Sequence, residues 1–302
     1  MEIEAPAKIN LYLNILGRRD DGYHEIDTLF EKISIRDTLV AELAGKKTNI
    51  VCRNPDVPTG PDSLLSRVIY LFNEKTGKVY NFTVELEKRI PVSAGMGGGS
   101  SDAAALLKAI NGLTGFPLKM GDLLEISREL GADVPFFLHE ASFAYGRERG
   151  DVIREVETSV DLWHIIVHPP FKVSTKSIYG RVSRFGLTKN SGVDKMFTAF
   201  LRENNVDGIA GNLHNDLQRI TLEEFPALME VLSELKKAGA KGTLMAGSGP
   251  AVFGIFDKKD AIQAKLGLDA IFPAKENWEV FVAGTYRAPG GSPGAKAAHM
   301  TQ

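Results

Sequence analysis

Residues Pro91 to Asp102 read Pro-Val-Ser-Ala-Gly-Met-Gly-Gly-Gly-Ser-Ser-Asp, which puts four glycines in five positions directly ahead of two serines. Such a run suits phosphate binding. Glycine adopts backbone angles closed to other residues and lets a charged group approach the main chain, so successive N–H groups converge on one anion. The segment Ala103 to Ile110 favours helix, Ser101 or Asp102 would serve as its N-cap, and the free N–H groups of a first helical turn carry partial positive charge. A phosphate fits at such a terminus. The rival reading, a flexible linker, sits poorly between a strand (Phe82 to Glu87, with apolar and polar residues alternating) and a helix. No G-x-x-x-x-G-K-[ST] run occurs and no lysine follows the glycines, so the cradle is not of the Walker type.

Other residues with chemistry to offer lie far away in sequence. Ile9, Leu11, Leu13 and Ile15 alternate with Lys8, Asn10, Tyr12 and Asn14, which predicts a strand over Ile9 to Leu16 with Lys8 and Asn10 side by side on its non-core face. Asp21-Gly22 is a turn signal that delivers Tyr23 and His24 just beyond it. Asp133 follows a helix stop at Gly131 and precedes Val134-Pro135-Phe136-Phe137, expected to be an apolar strand or turn. Gly247-Ser248-Gly249-Pro250 reads as a tight loop between two strands. His164 and His168, four apart, invite a metal reading. They sit in a strand ending at two prolines rather than on one helical face, and no H-E-x-x-H accompanies them, so a structural role is favoured.

The elements that must position these groups follow from periodicity. Strands are expected within Thr28 to Ile35, Thr38 to Leu43 and Asn49 to Cys52. Helices are expected over Asp62 to Thr76, stopped by Gly77, and over Asp122 to Leu130. The second half offers a buried strand at Trp163 to Val167 and helical patterns from Val193 to Leu201 and from Leu228 to Leu235. Strands then flank the 247–250 loop, with a helix from Asp260 to Leu266 and a last strand from Trp278 to Ala283. Mixed strands and helices without a regular βαβ rhythm predict an α+β fold in two lobes, divided as residues 1–155 and 156–287. Beyond Arg287 the Pro/Gly-rich run Ala288 to Gly294 has almost nothing to bury, and residues 288–302 are expected to be a disordered tail.

With 302 residues, 43% hydrophobic and 25% charged, the chain has the make-up of an ordinary globular protein with a large core. A net charge of -2 gives no global pull toward nucleic acid or anionic membrane, so any attraction for phosphate is local. The single cysteine, Cys52, excludes an intrachain disulfide and reads as a buried, inert thiol. Acidic residues open the chain where a signal peptide would be basic, and no run approaches the ~18 apolar residues of a membrane span; the expected location is cytoplasmic.

Three segments taken together, Ala7-Lys8-Ile9-Asn10-Leu11 with Gly17 to His24, Pro91 to Asp102, and Gly247 to Pro250, resemble the GHMP kinase superfamily. Within it they resemble the branch that phosphorylates a cytidyl-diphosphate sugar alcohol. The resemblance runs over roughly residues 1 to 287. It implies a ribosomal-protein-S5-like N-terminal lobe, a ferredoxin-like C-terminal lobe, and ATP with Mg²⁺ as the phosphoryl donor. Its expected partners are small molecules alone, with no nucleic acid, membrane or obligate protein partner. By the same resemblance Asp133 is the catalytic base and Lys8 stabilises charge on the attacking oxygen. The triphosphate is held by Pro91, Val92, Ser93, Ala94, Gly95, Met96, Gly97, Gly98, Gly99, Ser100 and Ser101, with Ser101 also a candidate Mg²⁺ contact. Asn10, Tyr23, His24, Tyr179, Gly247 and Ser248 are expected at the substrate. Tyr23 and Tyr179 would lie on the two faces of cytosine, His24 at its edge, and Gly247 and Ser248 at the diphosphate; for Tyr179, plain core packing is an equal rival. Met96, Ser63 and Ala246 depart from the superfamily's pattern without removing a reacting group. Two other readings stand beside this one: a GHMP kinase for homoserine or mevalonate, and a non-catalytic ATP-binding regulator on the same fold.

Overall fold

The computed structural model of the chain describes residues 1–182, 193–272 and 277–288. Its first half comprises β1 (Glu2–Arg18), β2 (His24–Ala44), β3 (Asn49–Cys52), α1 (Leu64–Thr76), β4 (Asn81–Glu87), α2 (Gly98–Leu113), α3 (Met120–Leu130), α4 (Val134–Leu138), β5 (Phe143–Arg147) and β6 (Val152–Val156). The second half comprises β7 (Trp163–His168), α5 (Thr175–Gly180), α6 (Val193–Arg202), α7 (Val206–Gly211), β8 (His214–Asn215), α8 (Asp216–Glu224), α9 (Ala227–Lys237), β9 (Gly242–Met245), β10 (Val252–Phe256), α10 (Lys258–Ile271) and β11 (Glu279–Gly284). The expected tail lies outside the described residues apart from Ala288.

Two sheets carry the architecture. The larger has the order β3-β4-β2-β1-β8, with β5 paired to the first part of β2 and β6 to β5. The smaller is antiparallel, in the order β11-β7-β10-β9. One core gathers α1, α2, α3 and α4 on the larger sheet around Phe72, Phe82, Leu106 and Phe136. Another lies under the smaller sheet, where α9 and α10 bury Leu228, Val231, Leu235 and Leu268. A third fills the space between the sheets with Ile9, Leu11, Leu29, Ile166 and Phe253. The α+β class expected from sequence is therefore observed.

Both faces of β1 are buried, which corrects the expectation of a non-core face: Lys8, Asn10, Tyr12 and Asn14 are as enclosed as their aliphatic neighbours. One face meets the α-helical layer and the other meets the second sheet, so the polar residues of β1 lie inside the protein, where each needs a partner. The strand also shifts register against β2 at Pro6/Ala7, Asn10/Tyr12 and Ile15/Gly17. Such irregularities re-aim side chains. The two strands expected between Thr28 and Leu43 are a single 21-residue strand, β2, because its two parts serve different neighbours, β5 and β4. Cys52 is half-buried rather than buried, at the sheet edge.

The chain ties its two sheets together at several points. β8 returns from the second half to pair in parallel with β1. After β11, Thr285 bridges to Ile33, and the Tyr286 N–H donates to the Lys32 carbonyl at 2.8 Å. Between the sheets, His164 of β7 contacts both carboxylate oxygens of Glu31 of β2 through Nε2 at 3.0 and 3.1 Å, and Glu31 also accepts from the Thr285 hydroxyl at 2.7 Å. Both residues are fully buried. His168 faces a different carboxylate, Glu279, so the two histidines do not converge. Removing one member of an enclosed pair strands its partner, and His164→Ala is expected to cost about 3 to 5 kcal/mol in urea unfolding. A loss below about 1 kcal/mol would show that the pair does not hold the sheets.

Candidate active site

A cavity of about 1180 Å³ opens between the two sheets. Lys8, Asn10, Tyr23, His24, Asp133, Tyr179, Gly247 and Ser248 line it, as do residues 91–100. Side chains from opposite ends of the sequence thus share one enclosure.

Lys8 is its hub. The Nζ of Lys8 donates to Asn10 Oδ1 at 2.8 Å, stands 3.4 Å from Asp133 Oδ2 and lies 5.3 Å from the centroid of the Phe30 ring. The orientation of Asn10 is fixed by its far side. Its Nδ2 donates to Thr28 Oγ1 at 2.8 Å, and that hydroxyl donates to the Tyr12 carbonyl at 2.6 Å. Because a carbonyl only accepts, the Thr28 hydroxyl must accept from the amide, which leaves the Asn10 oxygen facing the ammonium. Thr28 was not foreseen from sequence. Its position opposite β1 on a strand paired at a register shift could not be read without the pairing.

Asp133 is the N-cap of α4, so the segment expected to be strand or turn is a short helix. A capping carboxylate ordinarily accepts from the N–H two or three residues on. Here the second helical residue is Pro135, which has no N–H, and the Asp133 side chain makes no capping bond. The carboxylate is left for Lys8 and the cavity.

Gly97, not Ser101 or Asp102, is the N-cap of α2. The helix begins earlier because Gly97 takes a left-handed conformation, φ 69°, from which Gly98 and Gly99 enter the first turn without side chains to obstruct it. A Cβ at 97 would stand 3.0 Å from Lys8 Cγ, so the loop lies directly on the lysine stem, and the Lys8 N–H donates to the Met96 carbonyl at 2.9 Å. Gly95 makes the tightest approach. A Cβ there would fall 2.2 Å from the Ala246 carbonyl oxygen, and one at Gly247 would fall 2.8 Å from the Gly95 oxygen. The glycine loop of the first half and the Gly-Ser-Gly-Pro loop of the second therefore touch main chain to main chain.

Ser101 is the one residue of the expected phosphate set that the structure turns away. It lines a smaller cavity on a neighbouring face of α2 and is not among the residues that line the main cleft. Asp102 instead reaches the cleft from the same turn. It accepts from Lys88 Nζ at 2.7 Å, and Asp37 accepts from the same ammonium at 2.5 Å. The other Asp37 oxygen takes the N–H groups of Arg89 and Ile90. Burial, opposed by Lys88 and reinforced by Asp37, pushes the Asp102 carboxyl up to about 7. One cation thus serves two enclosed carboxylates at the root of the glycine loop. Nothing in the sequence signalled this, since Lys88 and Asp37 are 51 residues apart.

At the other end of the cavity His24 and Tyr179 meet ring against ring, 5.2 Å between centroids and tilted by 39°. Tyr23 is half-exposed, and the Arg149 guanidinium sits 4.9 Å from its centroid. Tyr179 packs on the second sheet's core and also lines the cavity. Burial, with a smaller push from the Asp133 carboxylate, raises the Tyr179 phenol well above the ordinary tyrosine range. Burial and then Arg18 hold His24 below the ordinary histidine value of 6.5. Ser248 shares its hydroxyl with Thr175 at 2.7 Å. Ser63, which departs from the expected pattern, caps α1 by accepting from the Ser66 N–H at 3.2 Å. Arg149 and Thr175 carried no signal in the sequence beyond their residue types.

An enclosed cleft between two lobes, with a glycine-rich helix N-terminus facing an ammonium–carboxylate pair, is the arrangement of a small-molecule phosphotransferase. The comparisons agree. Residues 63–141 match the GHMP kinases N terminal domain and residues 196–274 match the GHMP kinases C terminal domain; the chain belongs to the GHMP kinases. Two curated relatives, from Syntrophotalea carbinolica and Syntrophus aciditrophicus, are each 36% identical to it. The first match covers 86% of this chain and 91% of the relative, the second 93% and 98%. Both carry the name 4-diphosphocytidyl-2-C-methyl-D-erythritol kinase, and this chain falls within that kinase family. A crystal structure of 4-(cytidine 5'-diphospho)-2C-methyl-D-erythritol kinase superposes with a TM-score of 0.78 at 33% identity, over 95% of this chain and 100% of that one. Among the described residues, no helix is long and apolar enough to cross a membrane.

The Gly95 contact yields a direct test. Gly95→Ala places a methyl group against the Ala246 carbonyl at a φ of +79°, and is expected to lower stability by about 2 kcal/mol or more and to weaken ATP binding. Thermal unfolding and nucleotide titration check this. Unchanged values in both would mean the loops are not packed together.

Proposed function

We propose that the chain transfers the γ-phosphoryl group of ATP to the 2-hydroxyl of 4-diphosphocytidyl-2-C-methyl-D-erythritol, giving the 2-phosphate and ADP. This is a step in isoprenoid precursor biosynthesis by the non-mevalonate route. The observation that carries the reading is the Lys8–Asp133 pair, 3.4 Å apart and in one cavity with the glycine loop and the Tyr23–His24 turn.

In this reading Asp133 accepts the proton of the 2-hydroxyl as that oxygen bonds to the γ-phosphorus and the bond to the leaving ADP breaks. Lys8, oriented by Asn10 and Thr28, stabilises the charge developing on the attacking oxygen. Main-chain N–H groups of residues 95–100 and the α2 terminus receive the phosphates, with Pro91 to Ala94 forming the approach. Gly247 and Ser248 meet the substrate diphosphate across the cleft. Tyr23 stacks on cytosine, steadied by Arg149, while His24 bonds the edge of the base beside Tyr179. Mg²⁺ bound with ATP would supply positive charge that neutralises the phosphates. Ser101 lines the neighbouring cavity rather than the cleft, so this reading gives it no part in holding the metal.

A kinase for homoserine or mevalonate has no use for the Tyr23–His24 turn, and a non-catalytic regulator has none for an enclosed lysine–aspartate pair. ADP release should be seen with the cytidyl substrate and not with homoserine or mevalonate; preference for either of those would overturn the assignment. Asp133→Asn is expected to leave ATP binding nearly intact while lowering kcat by about 10² to 10⁴. Unchanged turnover would remove Asp133 from the chemistry. Burial and then Arg18 hold His24 below the ordinary histidine value, which favours the neutral ring. The KM for the cytidyl substrate should therefore rise on acidification with a midpoint below 6.5, and His24→Gln should abolish that rise. A midpoint above 6.5 would contradict the role given to His24.

A further inference from the structure

A second cavity, of about 390 Å³, lies beside α2 and outside the catalytic cleft. Ser101, Ala105 and Lys108, spaced i, i+4, i+7, form its wall on α2; Gly98 and Asp102, one step round the helix, face the cleft instead. Lys32 of β2 and His139, just after α4, line it from the other side, together with Tyr286 and the carboxylates of Glu2, Glu4 and Glu140.

The cations here are poorly compensated. Lys32 is 4% exposed, its Nζ donates among the described residues only to the His139 carbonyl, and it lies 5.1 Å from the centroid of the Phe136 ring. Among the described residues, neither Lys32 nor Lys108 has a carboxylate in ion-pair contact. Glu140 and Glu155 act on both lysines only at longer range. Glu155 is taken by His139 and by the Glu140 N–H, and Glu4, also at the cavity, by Arg36 and the Tyr286 hydroxyl. Glu2 is exposed at the rim. Burial, with Lys108 adding to it, pushes the Lys32 ammonium down to about 7; burial also lowers Lys108 and His139. The Ser101 hydroxyl, 1% exposed, has no hydrogen-bond partner among the described residues. An enclosed ammonium without a counter-charge costs several kcal/mol, and an unsatisfied buried hydroxyl adds to that cost. Two ammonium groups and a free O–H around one cavity are the donor set that a tetrahedral oxyanion satisfies.

We propose that this cavity is a second anion site, which binds a phosphate-type oxyanion through Lys32, Lys108 and the Ser101 hydroxyl. It is distinct from the cleft and does not rest on the catalytic reading. Its walls nevertheless belong to the two elements that build the cleft. Ser101 is in the turn of α2 that follows the glycine loop, and His139 closes α4, whose other end is Asp133. An occupant therefore bears on both the nucleotide loop and the carboxylate, which makes the cavity a place for regulation by anion concentration.

Inorganic phosphate is the probe, titrated calorimetrically into the full chain already saturated with a nonhydrolysable ATP analogue so that the cleft is filled. One saturable site is expected, weakened about tenfold or more in Lys108→Gln and in Lys32→Gln but largely retained in Lys108→Arg. Phosphate should raise the thermal unfolding midpoint of the unaltered chain and not that of Lys108→Gln. Lys108 is half-buried, so its variants keep the test sound if Lys32→Gln does not fold. Absence of saturable binding, an equal response to chloride at matched ionic strength, or unchanged binding in Lys108→Gln would each overturn the proposal.

Discussion

The contact between the Lys8 ammonium and the Asp133 carboxylate is the interaction on which the rest of the site depends. Each group is supplied by an element that would not expose it by default. Lys8 comes from a strand buried on both faces, where Asn10 and the Phe30 ring receive the cation beside the Asp133 carboxylate. Asp133 comes from a helix cap whose second residue is a proline, which leaves the carboxylate uncommitted. Lys8 is buried and Asp133 is partly exposed to the cavity. Their geometry is set by the packing of β1 against β2 and of α4 against α2, so the pair is organised before a substrate enters.

The same economy of contact appears where the two halves of the chain meet. Gly95 and Gly247 approach so closely that neither tolerates a side chain, and this juxtaposition brings the nucleotide loop to the loop that faces the substrate. Beneath it, Lys88 draws Asp37 and Asp102 together and anchors the strand end from which the loop departs. A buried cation between two carboxylates is poor as a source of net stability. Its evident use is positional: it fixes the point where β4 gives way to residues 91–97.

Much of this was legible in the chain itself, for reasons that differ by residue. The glycine run and its helix are local, so their sequence carried their structure, and so were Gly77 as the stop of α1 and the strands either side of residues 247–250. What was misread was set by tertiary surroundings. Alternation along β1 indicated one buried face, yet the face carrying Lys8, Asn10 and Asn14 is enclosed as well. Propensity placed the N-cap of α2 at Ser101 or Asp102, but the left-handed Gly97 starts it earlier and rotates Ser101 out of the cleft. Thr28, Arg149 and Thr175 were not seen because their importance lies wholly in what they touch across long stretches of chain. Lys8 and Asp133 were assigned through the family resemblance; as isolated residues they would have passed for a strand-edge lysine and a turn aspartate.

A crystal structure of the chain with the cytidyl substrate and a nonhydrolysable ATP analogue tests the central claim most directly. The distances to read are those from the acceptor oxygen to Lys8 Nζ, to the Asp133 carboxylate and to the γ-phosphorus. The account predicts that both side chains lie within hydrogen-bonding reach of that one oxygen, with the phosphorus in line beyond it. An acceptor hydroxyl bound elsewhere in the cleft, with the Lys8–Asp133 pair contacting neither it nor the terminal phosphate, would contradict it.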